Sequence, residues 1–208
     1  SKIVITTEME SKGYIDLTLS ALRDFGIEII NNDYKEFIIK GNQEYKARNY
    51  KVEGDYSQAA FFLVANAIGN KVEIDDVLAN SAQGDKEAID ILSRMGMTVQ
   101  WNKSKNGIIP AENNDLKATI IDGSQCPDII PVLSVAAALA KGTTKIIKAG
   151  RLRIKECDRL KAVASELTKL GAKIEEKEDG LIIEGVESLK GGVEVWSWKD
   201  HRIAMTLA

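Results

Sequence analysis

Cysteine, proline and histidine are scarce in this 208-residue sequence, which holds two, three and one of them respectively. Cys126 and Cys157 lack CxxC spacing, and with His201 as the single histidine they argue against a structural zinc site. A chain of this length builds a core without cross-links, so free thiols in a reducing compartment are expected. The longest apolar stretches, Ala59–Ala65 and Ile129–Ala140, are too short or too interrupted to span a bilayer. No cationic segment followed by an apolar one opens the chain, so no secretion signal is read and a cytoplasmic location is expected. Basic excess is missing as well: Lys+Arg 28 against Asp+Glu 31 gives a net charge of −3, hence no general attraction to nucleic acid. The sequence contains no P-loop, no GxGxxG, no metal-ligand spacing and no readable Ser/His/Asp arrangement. Hydrophobic residues at 44% and charged residues at 28% leave the balance of a soluble globular protein.

What the chain does contain is a repeat. Three stretches, Tyr14–Gly41, Lys86–Ala111 and Leu160–Gly185, each open with a helical apolar pattern: Ile15, Leu19 and Leu22; Ile89, Leu92 and Met95; Val163, Leu167 and Leu170. Each predicted helix stops at a glycine (Gly26, Gly96, Gly171), the residue best suited to a left-handed C′ position. Two short strands follow in each: Ile27–Ile30 and Phe37–Lys40, Met97–Trp101 and Ile108–Pro110, Ala172–Glu175 and Leu181–Glu184. The three glycines recur at nearly equal intervals. Asp55, Asp128 and Asp200 recur at almost the same interval, each at the start of an apolar helix. Strands are predicted after two of those helices, at Lys71–Ile74 and Thr144–Lys148. The alternation argues an α/β architecture with helices covering sheet faces. Ile129–Ala140, apolar almost all round, should be fully buried. Leu160–Leu170 keeps Lys161, Ser165, Glu166 and Lys169 on another face and should lie at the surface. Polarity places a change of domain near Ala47–Glu53. The last helix has just begun at Ala208, so the chain is expected to be a truncated piece of a longer protein.

Chemistry concentrates in three places. Arg151–Arg159 holds four cations, Arg151, Arg153, Lys155 and Arg159, ahead of a helix, a fit for phosphate or carboxylate, with Glu156 among them as an ionised proton carrier. The plainer alternative is a solvated basic turn with Asp158 capping the helix. Asp128 reads first as an N-cap, worth about 1 kcal/mol, a role that also fits Asp55 and Asp200; a capping carboxylate can still accept a ligand's proton. Asp200-His201-Arg202 places cations where the helix dipole opposes them, a conflict that an anion would relieve. His201 by itself reads more readily as structural than catalytic.

These segments resemble the signature of the EPSP synthase family. Arg151–Arg159, continued by Leu160, is similar to its R-x-R-x-K-E-[ST]-D-R-L motif, and Lys199–Ala208 to its D-H-R-[IM]-A-M element. Gly54–Phe62 resembles G-D-x-S-x-A-x-[FY]-[FL], Pro127-Asp128 a buried P-D, and Ser11–Asp16 the S-K-x-Y-[IV]-[DE] stretch. Cys157 stands where the family usually has Ser or Thr. The resemblance implies transfer of the enolpyruvyl group of phosphoenolpyruvate to the 5-hydroxyl of shikimate 3-phosphate, with no metal and no organic cofactor. It implies that Asp128 and Glu156 carry protons, that Ser11, Tyr14, Lys155 and Asp128 hold shikimate 3-phosphate, and that Arg159 and Arg202 clamp phosphoenolpyruvate, with His201 a further candidate. It also implies an incomplete enolpyruvyltransferase fold of repeated βαβαββ units around buried helices. Residues 1–52 would be the last unit of one domain and 53–208 most of the second. The family's N-terminal lysine and arginine motifs, its Ser-Ser-Gln stretch and its late C-terminal lysine lie outside these 208 residues. The piece alone is therefore expected to be inactive and, through unpaired strand edges, to self-associate, whereas the intact enzyme is expected to be a monomer without membrane or nucleic-acid partners. Two rivals are the sister enzyme acting on UDP-N-acetylglucosamine and a non-catalytic folded module.

Overall fold

The computed structural model describes residues 1–102, 104, 106–110 and 115–208. Its first part is a three-stranded antiparallel sheet, β1 (Lys2–Val4), β2 (Ile29–Asn32) and β3 (Glu36–Ile39) in the order β1-β3-β2, with helix α1 (Lys12–Asp24) between β1 and β2. Only Ile27 and Phe37 among its hydrophobic residues are buried. Residues 43–55 carry no regular element and lead into the larger part of the molecule.

There the chain forms α2 (Tyr56–Ala67), a 3₁₀ turn (Gly84–Lys86), α3 (Glu87–Arg94) and a hairpin of β4 (Val99–Asn102) and β5 (Gly107–Pro110). The strand predicted at Lys71–Ile74 does not form; a single bridge joins Ile74 to Ile108. The reason is local. The Asn66 side-chain amide donates to the Val72 carbonyl at 2.8 Å, and its carbonyl accepts from the Val72 N–H at 2.7 Å. Backbone groups that a ladder would need are thus already satisfied by a side chain. Ala111, the end of the second repeat stretch, lies outside the described residues.

The next stretch realises the whole βαβαββ order: β6 (Ile120–Asp122), α4 (Ile130–Ala138), β7 (Thr143–Ile147), α5 (Arg159–Lys169), β8 (Lys173–Lys177) and β9 (Gly180–Glu184). Strands β6 and β7 run parallel because α4 crosses between them, and β9 and β8 add antiparallel to give the order β6-β7-β9-β8. A short helix, α6 (His201–Leu207), follows. The glycines Gly26, Gly96 and Gly171 all have positive φ (84°, 109° and 95°) just past their helices, as the repeat predicts.

Helix α4 is the centre of the core. Every one of its residues except Val135 is buried, against α2, α5, α6 and β9. Fully buried side chains such as Ile130 and Leu133 each contribute about 2 kcal/mol of hydrophobic stabilisation. Helix α5 turns its apolar stripe inward, but of the face predicted to be exposed Ser165 is half-buried and one member is buried outright. Glu166 is buried at 2% of its accessible surface, because residues 185–200 fold back over α5. Its carboxylate accepts hydrogen bonds from Lys169 Nζ (2.7 Å), the Trp196 N–H (2.9 Å) and Trp198 Nε1–H (3.0 Å). A carboxylate satisfied by this many donors is stable in the interior where an unpaired one is not.

Candidate active site

Segments that begin helices meet at one place: the start of α1, the turn Gly84–Lys86, the 3₁₀ turn Pro127–Ile129 before α4, and the starts of α5 and α6 flanking it. The repeat underlies this convergence, because equivalent helix starts of successive units face the same centre. Asp128 does not cap α4. It sits inside the 3₁₀ turn, whose leading position is Cys126, and the residue before α4 is Ile129 with no capping side chain. Pro131, three residues on from Asp128, lacks one of the N–H groups that a cap there would have served. The Asp128 carboxylate is thereby free for other partners. Asp55 and Asp200 do cap, through the N–H groups of Ser57 and Arg202, and Asp158 caps α5 through Lys161.

Arg159 organises the centre. It is 1% exposed and its guanidinium reaches three carboxylates: Nε to Asp200 Oδ2 at 2.8 Å, Nη1 to Asp128 Oδ1 at 2.8 Å, and Nη2 to Glu156 Oε2 at 2.6 Å. Lys155 Nζ approaches Asp128 Oδ1 at 3.3 Å, and Arg202 Nη2 approaches Asp128 Oδ2 at 3.3 Å. The five side chains Asp128, Lys155, Glu156, Arg159 and Arg202 therefore share one cluster. Burial alone would raise the Asp128 carboxyl, but Arg202, Lys155 and Arg159 outweigh it and hold it below the usual carboxylate range. Asp200, wholly buried, is held down in the same way by Arg159 and the Arg202 N–H against its desolvation. Glu156 keeps its side chain 54% exposed on the solvent side of Arg159.

Tyr14 joins from α1. Its hydroxyl lies 3.1 Å from both oxygens of Asp85 and 3.3 Å from Asp128 Oδ2. Burial, with the Asp85 and Asp128 charges, pushes the phenol up, so it remains a donor. The approach requires Gly13. A Cβ there would fall 2.5 Å from the Gly84 Cα and 2.8 Å from its nitrogen, backbone atoms that cannot turn aside. Gly13→Ala is expected to lower stability by about 1–3 kcal/mol, read from urea unfolding, as the start of α1 is forced off the turn.

The other anticipated residues lie apart. Ser11 has left-handed backbone (φ 57°), and its hydroxyl accepts from Arg151 Nη1 at 3.2 Å, not from the Asp128 cluster. Arg153 turns away to Asp158, Glu176 and the carbonyls of Lys177 and Glu178, where it ties α5 to β8. The four cations of Arg151–Arg159 thus do not act together. His201 is 58% exposed with its nearest carboxylate, Asp200, at 3.9 Å. The cation conflict expected at Arg202 is relieved within the chain, since Asp128 supplies the anion.

Sequence reasoning missed Asp85. It is buried at 2% and accepts from Tyr14 and from the Ser57 hydroxyl. Burial pushes its carboxyl up, with those hydrogen bonds only partly opposing, so Asp85 and Asp128 are displaced in opposite directions. Its signal was present: Asp85 stands as far before Asp158 as Asp55 stands before Asp128, the spacing of the repeat. An open cleft of about 460 Å³, lined by Tyr14, Tyr50, Val52, Asp85, Asp128 and Arg202 among others, adjoins this face. Lys155 and Glu156 are not among its lining residues. Among the described residues no group of three His, Cys, Asp or Glu side chains is placed to hold a metal ion, and no helix is long and apolar enough to cross a membrane.

The chain is similar to a 3-phosphoshikimate 1-carboxyvinyltransferase of Clostridium beijerinckii, with 70% identity over all of this chain and 47% of the relative. A Clostridioides difficile protein of the same description is 69% identical over the same shares. Among solved structures, an EPSP synthase from Acinetobacter baumannii superposes with a TM-score of 0.78 at 30% identity, covering 99% of this chain and 48% of that one. The enolpyruvyl transferase NikO from Streptomyces tendae, at 18% identity and a TM-score of 0.69 over 96% of this chain and 46% of its own, shares the fold. The chain spans about half the length of the curated relatives it matches. A family model described as EPSP synthase (3-phosphoshikimate 1-carboxyvinyltransferase) matches residues 2–208, and the chain belongs to that family.

Proposed function

We propose that these residues carry half of the active site of an enzyme that transfers enolpyruvate from phosphoenolpyruvate to the 5-hydroxyl of shikimate 3-phosphate. The supporting observation is Asp128, held ionised where Lys155, Arg159, Arg202 and the Tyr14 hydroxyl converge, beside Glu156. In this reading the hydroxyl oxygen bonds to the central carbon of phosphoenolpyruvate while its methylene carbon takes a proton. The bond to phosphate then breaks and the methyl returns a proton, restoring the double bond. One group must accept the hydroxyl proton and another must serve the methylene carbon. Asp128 and Glu156, bridged by Arg159, are that pair. Lys155, Tyr14 and Ser11 hold shikimate 3-phosphate, while Arg159 and Arg202 face the carboxylate and phosphate of the donor. An incoming anion must compete with Asp128 for Lys155 and Arg202, so further cations from the rest of the enzyme belong to the complete site.

On the same reading residues 1–52 close one domain and 53–208 form most of the other, a division supported by the irregular run at residues 43–55. The enzyme works in the cytoplasm, in keeping with two unpaired cysteines. The UDP-N-acetylglucosamine alternative has less support, since the relatives named above carry the shikimate description. Calorimetry of the 208-residue chain is expected to give weak binding of shikimate 3-phosphate, abolished by Lys155→Ala, with no turnover when phosphoenolpyruvate is added. No heat with shikimate 3-phosphate, or product formed by this chain alone, would count against the reading.

A further inference from the structure

We infer that Glu166 is a positioning residue for the donor-binding arginine. Its buried carboxylate anchors residues 193–199, the strap that sets the start of α6 and with it Asp200 and Arg202. The inference rests on the role proposed above for Arg202, but the anchoring itself is independent of that role.

Residues 185–200 contain no helix or strand, so no ladder holds them. Trp198 and Lys199 both have left-handed backbone (φ 55° and 58°), a conformation that non-glycine residues keep only where their surroundings impose it. Asp200 comes next, capping α6 and pairing with Arg159. The surroundings that impose the turn include the Trp196–Trp198 ring contact at 4.9 Å, the Lys199 N–H donating to Ser197 Oγ at 3.3 Å and the bonds to Glu166. Trp198 packs on the core and donates its indole N–H to Glu166 Oε1 at 3.0 Å, while the Trp196 N–H donates to Oε2 at 2.9 Å. Ser197 closes the turn locally, its carbonyl accepting from the Asp200 N–H at 3.0 Å. Lys169 neutralises Glu166 at 2.7 Å, which keeps the carboxylate available as an acceptor for both tryptophans. The polar partners of Glu166 lie on α5 and the strap, outside the Asp128 cluster, so it acts on that cluster through the strap.

Glu166→Gln keeps the shape but presents an NH₂ to one of the strap's donors. Trp198→Phe keeps the packing but removes the indole N–H. In the 208-residue chain, hydrogen exchange at the amides of residues 200–204 is expected to accelerate about tenfold in either variant, with β7 and β9 unchanged. In a full-length enzyme carrying these residues, KM for phosphoenolpyruvate is expected to rise about tenfold in Glu166→Gln and about threefold in Trp198→Phe. KM for shikimate 3-phosphate should stay within about twofold, because the polar partners of Ser11, Tyr14 and Lys155 lie outside the strap. Unchanged exchange at residues 200–204 overturns the anchoring whatever the enzyme's reaction. Faster exchange with both Michaelis constants rising together overturns the positioning role and leaves a merely structural one. If Glu166→Gln does not fold, Trp198→Phe decides both points. An unmodified enzyme that does not use these substrates refutes the proposed function, while the exchange result still judges the anchor.

Discussion

Arg159→Ala is expected to destabilise the chain by about 3–5 kcal/mol, enough to leave it largely unfolded under conditions where the parent is native. The size follows from what stays behind. Asp200 is wholly buried, and Arg159 is its ion-pair partner at 2.8 Å. Removing the guanidinium leaves that carboxylate in a low-dielectric interior with its charge uncompensated. It also strips Asp128 of its shortest contact and releases Glu156. Arg159→Lys should recover only part of the loss, since one ammonium cannot fork to three carboxylates as a planar guanidinium does. Arg159→Met combined with Asp200→Asn should recover more, because it removes both charges. Urea unfolding followed by tryptophan fluorescence measures each variant. A loss below about 1 kcal/mol for Arg159→Ala would mean that water reaches Asp200 and that the buried network is not what holds α6 to α5.

Asp128→Asn in a full-length enzyme carrying these residues is expected to lower kcat by about 10²–10⁴. The exchange is nearly isosteric, so the effect reports charge and proton acceptance rather than shape. It carries a second signature. Asp128 is the anion that Lys155 and Arg202 hold, at 3.3 Å each. Neutralising it frees those cations, so affinity for inorganic phosphate should hold or rise while turnover collapses. A parallel fall in both would assign Asp128 to substrate grip alone. Steady-state kinetics with a phosphate titration separates the outcomes.

Much of this centre is legible before any coordinates. The glycines Gly26, Gly96 and Gly171 end their helices because a left-handed step is cheap only there. The burial of α4 follows from an apolar run that offers no polar face to water. Asp55, Asp158 and Asp200 cap because a carboxylate next to free N–H groups is satisfied over two or three residues. Asp128 shares the period but not the role, since it sits inside the 3₁₀ turn ahead of α4 and Pro131, three residues on, has no N–H to give.

Composition, repeat and capping were determined by the sequence itself, since a helix start, a stop and an apolar face depend on neighbours only a few residues away. The tertiary structure decided which charges meet. Tyr14 reaches Asp128 across 114 residues and Arg202 reaches it across 74. Glu166, on a face that reads as solvent, is covered by a strap some 30 residues further on. Pairings at such separations are selected by how the layers pack and by which polar groups that packing desolvates, and no local spacing encodes either.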